Sequence, residues 1–379
     1  MNIFISGHPL IAFTSGTPMR GLINALIYLR KDWHFTIGFP KGLNAPHLID
    51  LKEDWKKMDN LSIAEFSLNE KWGNLKKLFG FSKSPLKNHD FDLFVSPGMP
   101  ESFQTEKPVI SFVADLSSIN MPESSSLKWH GNRIFRNTLN CAVKTNKKIV
   151  SISDFTKTEL EERYPYQRKK FLTIHNGIEN SWFDSHYEEN ELTQNLKDEE
   201  YWIWWGYMSN RKNIGRLVDA YIPLAKKNNE IPKILFIGDI APDQVFLKQT
   251  FKQFPGYFIH HSFQNPYILK TLVKNSKGLL FPSLYEGFGL PVIEAFSQEV
   301  PVMHSNKTSL PEIAGGLGIE VDPYDISSLE RGMLKLANQK LGKEEKNKLK
   351  ARAATFTYKN AAQQLSALIE ELTTESTHT

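Results

Sequence analysis

The sequence predicts an α/β protein made of two doubly wound units, and three observations support that prediction. The chain has 379 residues, which is too long for one ordinary hydrophobic core. Short apolar runs rich in strand-forming residues alternate with longer helical patterns, as in a parallel sheet wrapped by helices. The alternation stops in a polar, acidic stretch at about 180–200 and then begins again, so we expect two domains.

The first half supplies the elements of one sheet. Strands are predicted at 3–5, 35–39, 93–95, 109–113 and 148–152, with helices at about 19–29 and from Asp154 onward. A glycine-containing loop, Ser15-Gly16-Thr17, joins the first strand to the first helix. We therefore assign residues 1–180 to an N-terminal Rossmann-like domain.

The second half repeats the pattern. Strands are predicted at 201–205, 233–237, 278–281 and 300–303, with a helix at 214–225. We assign residues 181–360 to a C-terminal Rossmann-like domain. Residues 361–379 form a predicted last helix that packs back on the first domain and ends in a frayed tail. Doubly wound sheets bind ligands at the carboxyl ends of their strands, so we expect a site in the loops that follow the strands.

The composition excludes several classes of protein. A hydrophobic content of 40% and a charged content of 23% are typical of a folded soluble protein. Cys141 is the only cysteine, which excludes an internal disulfide. The sequence has no signal-peptide pattern and no apolar run near the roughly 20 residues of a spanning helix, so we expect a cytoplasmic protein. It also has no helix-turn-helix spacing, zinc-ligand set or basic stripe, so we expect no nucleic-acid partner.

The clearest chemical signal lies in residues 278–296. A strand ends at Pro282, the sequence Glu286-Gly-Phe-Gly-Leu follows, and Pro291 stands where a helix begins. Backbone amides ahead of a helix N-terminus bind anions, and glycines let a ligand approach the backbone closely. This segment is therefore a predicted anion-binding loop.

Two glutamates flank that loop. Glu286 precedes it, and Glu294 is predicted in the first helical turn. Carboxylates accept hydrogen bonds from vicinal hydroxyls, which sugars and ribose supply, so the arrangement describes a sugar-nucleotide site. Glu294 alone could instead complement the helix dipole, but that alternative leaves Glu286 unexplained.

These residues resemble glycosyltransferase family 4. The family pattern E-G-F-G-x-P-x-x-E-A matches residues 286–295 at every fixed position. Residues 236–239, 310–315 and 321–325 resemble further turns of the family. The resemblance implies the GT-B fold, in which two Rossmann-like domains face a central cleft. It also implies a retaining transferase that uses a nucleotide-sugar donor.

The resemblance implies roles for two basic residues. The lysine that matches Lys212 contacts the donor diphosphate in the family. Some members also have an arginine directly after the glycine that matches Gly206, where this chain has Tyr207. Arg211 is then the candidate for the second positive charge. A solvated charge before a helix remains the alternative for Lys212.

The resemblance also assigns the glutamates and the loop between them. The residue matching Glu294 holds the ribose hydroxyls, and the one matching Glu286 contacts the donor sugar near the reacting carbon. The resemblance also implies that sugar and phosphate contact the backbone of Gly287, Phe288, Gly289 and Leu290. The turn Ser262-Phe263 resembles the base-contacting turn, which usually has glycine where Ser262 stands. The loop at Gly16 matches one beside the diphosphate, although a plain turn explains it equally well.

The largest departure from the family lies at Ala114-Asp115-Leu116. The family commonly has His-Asp-Leu there, with the histidine beside the donor sugar. Asp115 remains, and the resemblance places it with Glu286 at the catalytic positions. Three interpretations of Ala114 stay open: His130 substitutes for the histidine, the donor is a deoxy sugar that needs no such contact, or the enzyme is inactive.

The resemblance further implies the substrates. It predicts a GDP-, UDP- or dTDP-sugar donor carrying mannose, rhamnose, fucose, glucose or a similar sugar, and a glycan or lipid-linked glycan acceptor. The sequence has no Asp-x-Asp metal pair in the expected place, so no metal or other cofactor is predicted to be obligatory. Basic groups and helix-end amides would stabilise the leaving diphosphate instead.

A basic and aromatic segment lies at 71–83. Trp72 and Phe79 have helical spacing, with Lys76 and Lys77 beside them. Such a segment can lie on an anionic membrane, which would place the protein at the inner face as a peripheral protein. An ordinary amphipathic helix packed on the sheet is the alternative.

Two other functional classes stay open beside the glycosyltransferase. One is a GT-B-shaped sugar-nucleotide epimerase, although the N-terminal half offers no clear acid/base set for it. The other is a non-catalytic protein that binds nucleotides or glycans, for which Ala114 is the main support.

Overall fold

The computed structural model describes residues 1–11, 16–40, 52–66, 90–98, 100–101, 105–124 and 129–376. The chain divides into two compact units. The N-terminal unit comprises Met1–Gly177 and Thr357–Thr379, and the C-terminal unit comprises Ile178–Phe356. The two boundaries between the units, after Gly177 and after Phe356, fall a few residues before the boundaries predicted from the sequence.

The N-terminal unit contains a parallel sheet with the strand order β3-β2-β1-β4-β5-β6-β7. Its strands are β1 (Asn2–Ser6), β2 (His34–Pro40), β3 (Leu61–Phe66), β4 (Leu93–Ser96), β5 (Val109–Val113), β6 (Lys148–Ser151) and β7 (Phe171–Thr173). Its helices are α1 (Gly16–Leu29), α2 (Ser117–Asn120), α3 (Trp129–Thr145), α4 (Asp154–Arg163) and the chain's last helix, α13 (Tyr358–Ser376). Strand β1 pairs with both β2 and β4, so the strand order reverses beside β1. Such a switch point opens a crevice at the carboxyl ends.

Helix α13 belongs to the N-terminal unit because it packs on α1. Gly21 of α1 lies against the ring of Tyr358, where a Cβ atom would come within 2.1 Å of the ring. Arg30, just after α1, forms salt bridges to Asp32 at 2.7 Å and to Glu370 of α13. The last helix therefore packs on the first, although the two lie near opposite ends of the sequence.

The C-terminal unit contains a second parallel sheet, with the order β10-β9-β8-β11-β12-β13. Its strands are β8 (Tyr201–Trp205), β9 (Lys233–Ile237), β10 (Phe258–His261), β11 (Leu279–Phe281), β12 (Val302–Ser305) and β13 (Ile319–Val321). Its helices are α5 (Glu191–Asn195), α6 (Ile214–Lys227), α7 (Phe246–Gln253), α8 (Pro266–Asn275), α9 (Leu290–Ser297), α10 (Leu310–Ala314), α11 (Ile326–Ala337) and α12 (Lys343–Ala354).

The core of the C-terminal unit is built on β8 and β9. Every residue of β8 is buried, because helices cover both faces of a parallel sheet. Trp204 packs against Phe236 of β9, with ring centroids 6.1 Å apart, and Phe236 stacks on Phe251 at 4.8 Å. The strand Tyr-Trp-Ile-Trp-Trp could be predicted from sequence because a short run of apolar and aromatic residues is typical of a buried strand.

The polar stretch at 180–200 is part of the C-terminal unit and not a loose linker. Its Trp182, Leu192 and Leu196 are buried, which the low periodicity of the segment did not indicate. Asn190 caps α5 through a reciprocal capping box with Thr193. The reason for the missed packing is that single apolar residues anchor the segment without a repeating pattern.

The described part of the chain contains no helix that is long and apolar enough to cross a membrane. The predicted α/β class with two doubly wound sheets is confirmed. Strands β3, β7, β10 and β13 were not predicted. They are short or carry polar residues, as at Glu320 in β13, so the sequence gives them little strand signal.

Candidate functional site

The charged loops of the C-terminal unit meet at the carboxyl ends of its strands. Lys212 follows β8, Glu286 follows β11, and Ser309 follows β12. Parallel strands present their carboxyl ends at one edge of the sheet, so residues distant in sequence become neighbours there. The sequence placed the site at this edge, and the hydrogen bonds show which residues meet.

Glu286 is the centre of the cluster. Its side chain is 8% exposed, and it lies 2.5 Å from Lys212 Nζ and 3.0 Å from Arg211 Nη1. Burial alone would raise the pKa of Glu286, but the two neighbouring cations outweigh it and lower the pKa to about 2. Two cations facing one carboxylate leave the cluster with a formal charge of one positive unit, which suits an anionic ligand.

The turn that carries Arg211 and Lys212 is held by hydrogen bonds from the next residue, Asn213. Asn213 adopts a left-handed backbone conformation with φ of 62° at the start of α6. Its side-chain amide donates to the carbonyl oxygens of Pro282 at 3.1 Å and Pro323 at 2.7 Å. Arg211 also donates to the carbonyl of Tyr285 at 3.0 Å. The basic turn is therefore attached to the strand end that leads into Glu286.

The loop from Glu286 to Gly289 is held by the segment that follows β12. The Glu286 backbone N–H donates to the Thr308 hydroxyl at 3.1 Å. The Ser309 hydroxyl lies 2.9 Å from the carbonyl oxygens of both Glu286 and Phe288. Because these contacts satisfy buried backbone groups, the loop is fixed before any ligand arrives.

Gly289 gives the loop its sharp entry into α9. Its φ is 107°, and an added Cβ would come within 2.5 Å of Leu310 Cδ2, so no other residue fits without a shift. Helix α9 begins at the next residue, Leu290, and Pro291 occupies its first turn, where a missing N–H costs nothing. The first turn of α9 therefore lies where the sequence placed the helix start, and anion binding by its amides stays a prediction.

Glu294 lies farther along helix α9 than the sequence predicts. It is the fifth residue of α9, which has no acidic residue in its first turn, because the helix begins at Leu290, one residue before the predicted start at Pro291. Its Oε2 accepts a hydrogen bond from Trp205 Nε1 at 3.0 Å. Burial raises its pKa to about 7 and the Glu179 carboxylate adds to this, while the indole hydrogen bond acts in the opposite direction. The dipole interpretation of Glu294 therefore loses its geometric basis.

The predicted base-contacting turn is exposed. Ser262 and Phe263 follow β10, the edge strand of the sheet. Phe263 is 39% exposed. The carbonyl of Ser262 accepts from Gln264 Nε2 at 3.0 Å. The two residues thus lie at the same carboxyl edge as the ion-pair cluster, and their role in contacting a base stays a prediction.

The predicted residues of the N-terminal unit form local contacts. Asp115 follows β5, and its Oδ1 accepts from the Ser117 backbone at 2.8 Å and from the Ser117 hydroxyl at 2.5 Å. Gly16 is the first residue of α1. His130 is exposed in the first turn of α3, and Ala114 is partly buried. Trp72, Lys76, Lys77 and Phe79 lie outside the described residues.

Several residues of the site were missed by sequence reasoning. Trp205, Asn213, Thr308 and Ser309 all act through contacts between loops that are far apart in the chain. Trp205 and Glu294, for example, are 89 residues apart. Ser309 directly precedes the segment 310–315, whose resemblance to a family turn was the one available signal.

One family model matches the C-terminal unit. Residues 188–356 match the family described as Glycosyl transferases group 1. The match spans the basic turn, the loop from Glu286 and the helix with Glu294. It therefore covers nearly the whole C-terminal unit.

Curated relatives include mannosyltransferases. The chain is 27% identical to O-antigen chain mannosyltransferase B of Escherichia coli over 257 residues, covering 66% of each protein. It is 28% identical to the serotype-specific mannosyltransferase WbdA of Escherichia coli over 224 residues, covering 56% of this chain and 27% of WbdA. The matches thus span less than two thirds of these relatives' own lengths. They support the prediction of a glycosyltransferase enzyme.

Solved structures establish the fold. Anabaena Alr3699/HepE in complex with UDP and glucose aligns with a TM-score of 0.69 and 17% identity, covering 98% of this chain and 100% of HepE. Sucrose-phosphate synthase from Thermosynechococcus elongatus aligns with a TM-score of 0.71 and 16% identity, covering 98% and 99%. The predicted GT-B fold class is confirmed.

Proposed function

We propose that this protein is a retaining glycosyltransferase that moves a hexose from a nucleotide sugar to a glycan acceptor in polysaccharide biosynthesis. The observation that carries the proposal is the cluster of Glu286, Lys212 and Arg211 beside the N-terminus of α9. The O-antigen mannosyltransferases among the relatives favour mannose as the sugar and a growing or lipid-linked glycan as the acceptor.

The two cations would bind the donor diphosphate. Phosphate oxygens compete with Glu286 for Lys212 and Arg211, and the first-turn amides of α9 add donors to the same anion. Glu286 would then accept hydrogen bonds from hydroxyls of the donor sugar. Ionised Glu286 suits this role because its pKa is lowered to about 2 in the protein without ligand.

Glu294 would bind the ribose hydroxyls, with Ser262 and Phe263 near the base. HepE was solved in complex with UDP and glucose and with UDP-glucose. The mannosyltransferase relatives make GDP-mannose an equal candidate for the donor, and dTDP-sugars stay candidates as well. Because a carboxylate accepts hydroxyl hydrogen bonds more strongly than a carboxylic acid does, ribose binding would favour the ionised form of Glu294.

The transfer step breaks the bond between the sugar C1 and the diphosphate oxygen and forms a bond from C1 to the acceptor oxygen on the same face. The acceptor proton passes to the leaving phosphate oxygen, so no protein base is required. Lys212, Arg211 and the α9 amides would stabilise the charge that develops on the diphosphate. This route tolerates Ala114 in place of the family histidine. No metal or other cofactor is assigned to it.

A non-catalytic nucleotide- or glycan-binding protein is the second candidate, favoured by Ala114. The peripheral membrane contact through 71–83 and the place at the cytoplasmic face of the membrane remain part of the proposal. They can be tested by vesicle sedimentation with anionic and neutral lipids, where equal pelleting with both would remove the membrane contact.

Product analysis tests the function. The protein is incubated with GDP-mannose, UDP-glucose and dTDP-rhamnose and with mannose oligosaccharides, and products are resolved by mass spectrometry and NMR. A lengthened oligosaccharide with an α-linkage supports the retaining transferase. An epimerised nucleotide sugar would indicate the epimerase, and nucleotide binding with no turnover of any donor would indicate the binding protein.

A further inference from the structure

The indole ring of Trp205 is hydrogen-bonded to Glu294, the proposed ribose-binding carboxylate. Trp205 is the last residue of β8, is 6% exposed, and donates its Nε1–H to Glu294 Oε2 at 3.0 Å. It thereby takes one of the two carboxylate oxygens and leaves Oε1 for a hydroxyl of the ligand. The contact joins the strand that precedes the basic turn to the helix that follows the anion-binding loop.

The indole of Trp205 is itself held by a second one. Trp182 stacks on it, with ring centroids 6.4 Å apart and an interplanar angle of 20°. The carbonyl of Trp182 accepts from Gln298 Nε2 at 2.5 Å, and Gln298, which follows α9, accepts from the Tyr187 hydroxyl at 3.0 Å. The segment around Trp182 is thus bound to the end of the helix that carries Glu294.

A buried lysine fixes the same segment from α8. Lys270 is 1% exposed, and its Nζ donates to the carbonyl oxygens of Ser181 at 2.6 Å and His186 at 3.1 Å. It also contacts Asp184 through both the carbonyl and the carboxylate, each at 2.7 Å. The segment 181–187 therefore has a defined place on the C-terminal unit, and Trp182 has a fixed position in it.

We propose that Trp205 is a positioning residue for the donor: its N–H orients Glu294 for the ribose hydroxyls, and Trp182 keeps the indole in place. This inference rests on the proposed function, because it takes Glu294 as the ribose ligand. It goes beyond the family resemblance, which assigns no role to either tryptophan.

Electrostatics around Glu294 give the indole a measurable effect. Partial burial and the negative charge of Glu179 both disfavour the Glu294 carboxylate, and the Trp205 hydrogen bond favours it. Removing the N–H should therefore raise the pKa of Glu294. Nucleotide affinity, which needs the ionised form, should then reach its plateau only at higher pH.

The test is isothermal titration with UDP and GDP between pH 6 and pH 9. Trp205→Phe keeps an aromatic ring but lacks the N–H, and it should weaken binding about tenfold at pH 7. The midpoint of affinity against pH should rise by about one unit. The matched control is Trp202→Phe, in the same strand, whose buried Nε1 has no hydrogen-bond partner; its midpoint should not move. If transfer is detected, Trp205→Phe should raise the donor KM and leave kcat unchanged.

A second variant and a second measurement separate this inference from the proposed function. Trp182→Ala should shift the midpoint in the same direction by a smaller amount, and it remains informative if Trp205→Phe is poorly folded. The carboxyl titration of Glu294 in the ligand-free protein, followed by ¹³C NMR and assigned with Glu294→Gln, should move upward in Trp205→Phe. An unchanged titration would overturn the inference. An upward shift without nucleotide binding to the wild type would keep the Trp205–Glu294 contact and refute its role in donor binding.

Discussion

The two units share a doubly wound architecture but use their carboxylates differently. In the C-terminal unit, Glu286 gathers two cations from another loop at the strand ends. In the N-terminal unit, Asp115 is bound within its own turn, and the Glu101 carboxylate accepts from the Ser6 hydroxyl at 2.9 Å. The comparison shows that one fold can carry a charged cluster at the strand ends in one copy and mainly local polar contacts in the other.

Buried amide contacts reinforce the structural character of the N-terminal strand ends. Asn146 is 1% exposed and donates to the carbonyl of Glu101 at 2.9 Å and to Ser111 Oγ at 2.7 Å. These bonds satisfy buried polar groups without leaving a charge for a ligand. The difference between the units can therefore be tested by substituting their carboxylates and cations one at a time.

The largest effect is expected from Glu286→Ala. Loss of the proposed contact between Glu286 and the reacting sugar should lower the transfer rate by about 10³-fold. The fold should persist because the sheet core is untouched, which circular dichroism checks. Initial rates with the donor that the wild type uses give the measurement. Activity within about threefold of the wild type would remove Glu286 from the catalytic site.

Lys270→Met should cause the largest loss of stability. The substitution leaves the carbonyl oxygens of Ser181, Asp184 and His186 without their donor. A buried polar group left without its hydrogen-bond partner costs about 1–3 kcal/mol, so the urea midpoint should fall clearly. Lys226→Met, at an exposed position in α6, serves as the control. Equal midpoints for the two variants would contradict the importance of the Lys270 contacts.

The pH dependence of nucleotide binding should report Glu294. Its pKa is about 7 in the free protein, and ribose binding favours the ionised form, so binding releases a proton below that value. Affinity should therefore rise by up to about tenfold per pH unit until about pH 7 and then level off. Glu294→Gln should flatten that profile. An identical slope in wild type and Glu294→Gln would assign the titration to another group.

The raised pKa of Glu294 should also make the stability of the protein depend on pH. A carboxyl whose pKa is raised on folding holds its proton in the folded state after the unfolded chain has lost it. Stability therefore falls as the pH rises from about 4.5 to about 7, and Glu294→Gln should remove that part of the slope. Urea denaturation at several pH values measures it, and an unaltered slope in the variant would count against the raised pKa.

The smallest effect is expected from Asp115→Asn. Its carboxylate oxygen accepts from Ser117 in a local turn, and the amide oxygen of asparagine can accept the same bonds. Thermal stability should change by less than about 1 kcal/mol, and nucleotide affinity should not change. A transfer rate lowered by more than about tenfold would instead make Asp115 a catalytic residue, as the family resemblance implies.

Sequence reasoning recovered the features that depend on local pattern. The apolar strand Tyr201–Trp205 and the loop from Glu286 to Pro291 could be predicted because their residue types specify a buried strand and a helix start. The bond between Trp205 and Glu294 could not, because no local signal links residues 89 positions apart. The position of Glu294 in α9 was misjudged because the helix begins at Leu290, one residue before Pro291, which moves Glu294 beyond the first turn.

The packing of the segment around Trp182 shows a second limit. Its polar composition and lack of periodicity gave no sign of packing, but Trp182 is buried, and Lys270 binds the backbone of the residues beside it. A buried lysine that satisfies main-chain carbonyl oxygens leaves no periodic pattern in sequence. Such contacts appear only when the fold brings α8 beside the segment.

The most direct test of the donor site is calorimetric titration of UDP and GDP into the wild type, Lys212→Ala and Asp115→Asn at pH 8. The account predicts that at least one nucleotide binds the wild type and Asp115→Asn equally. Lys212→Ala should bind about 10–100-fold more weakly, because a charged hydrogen bond to phosphate is lost. Equal affinity in the wild type and Lys212→Ala, or a loss confined to Asp115→Asn, would contradict the assignment of the nucleotide to the C-terminal unit.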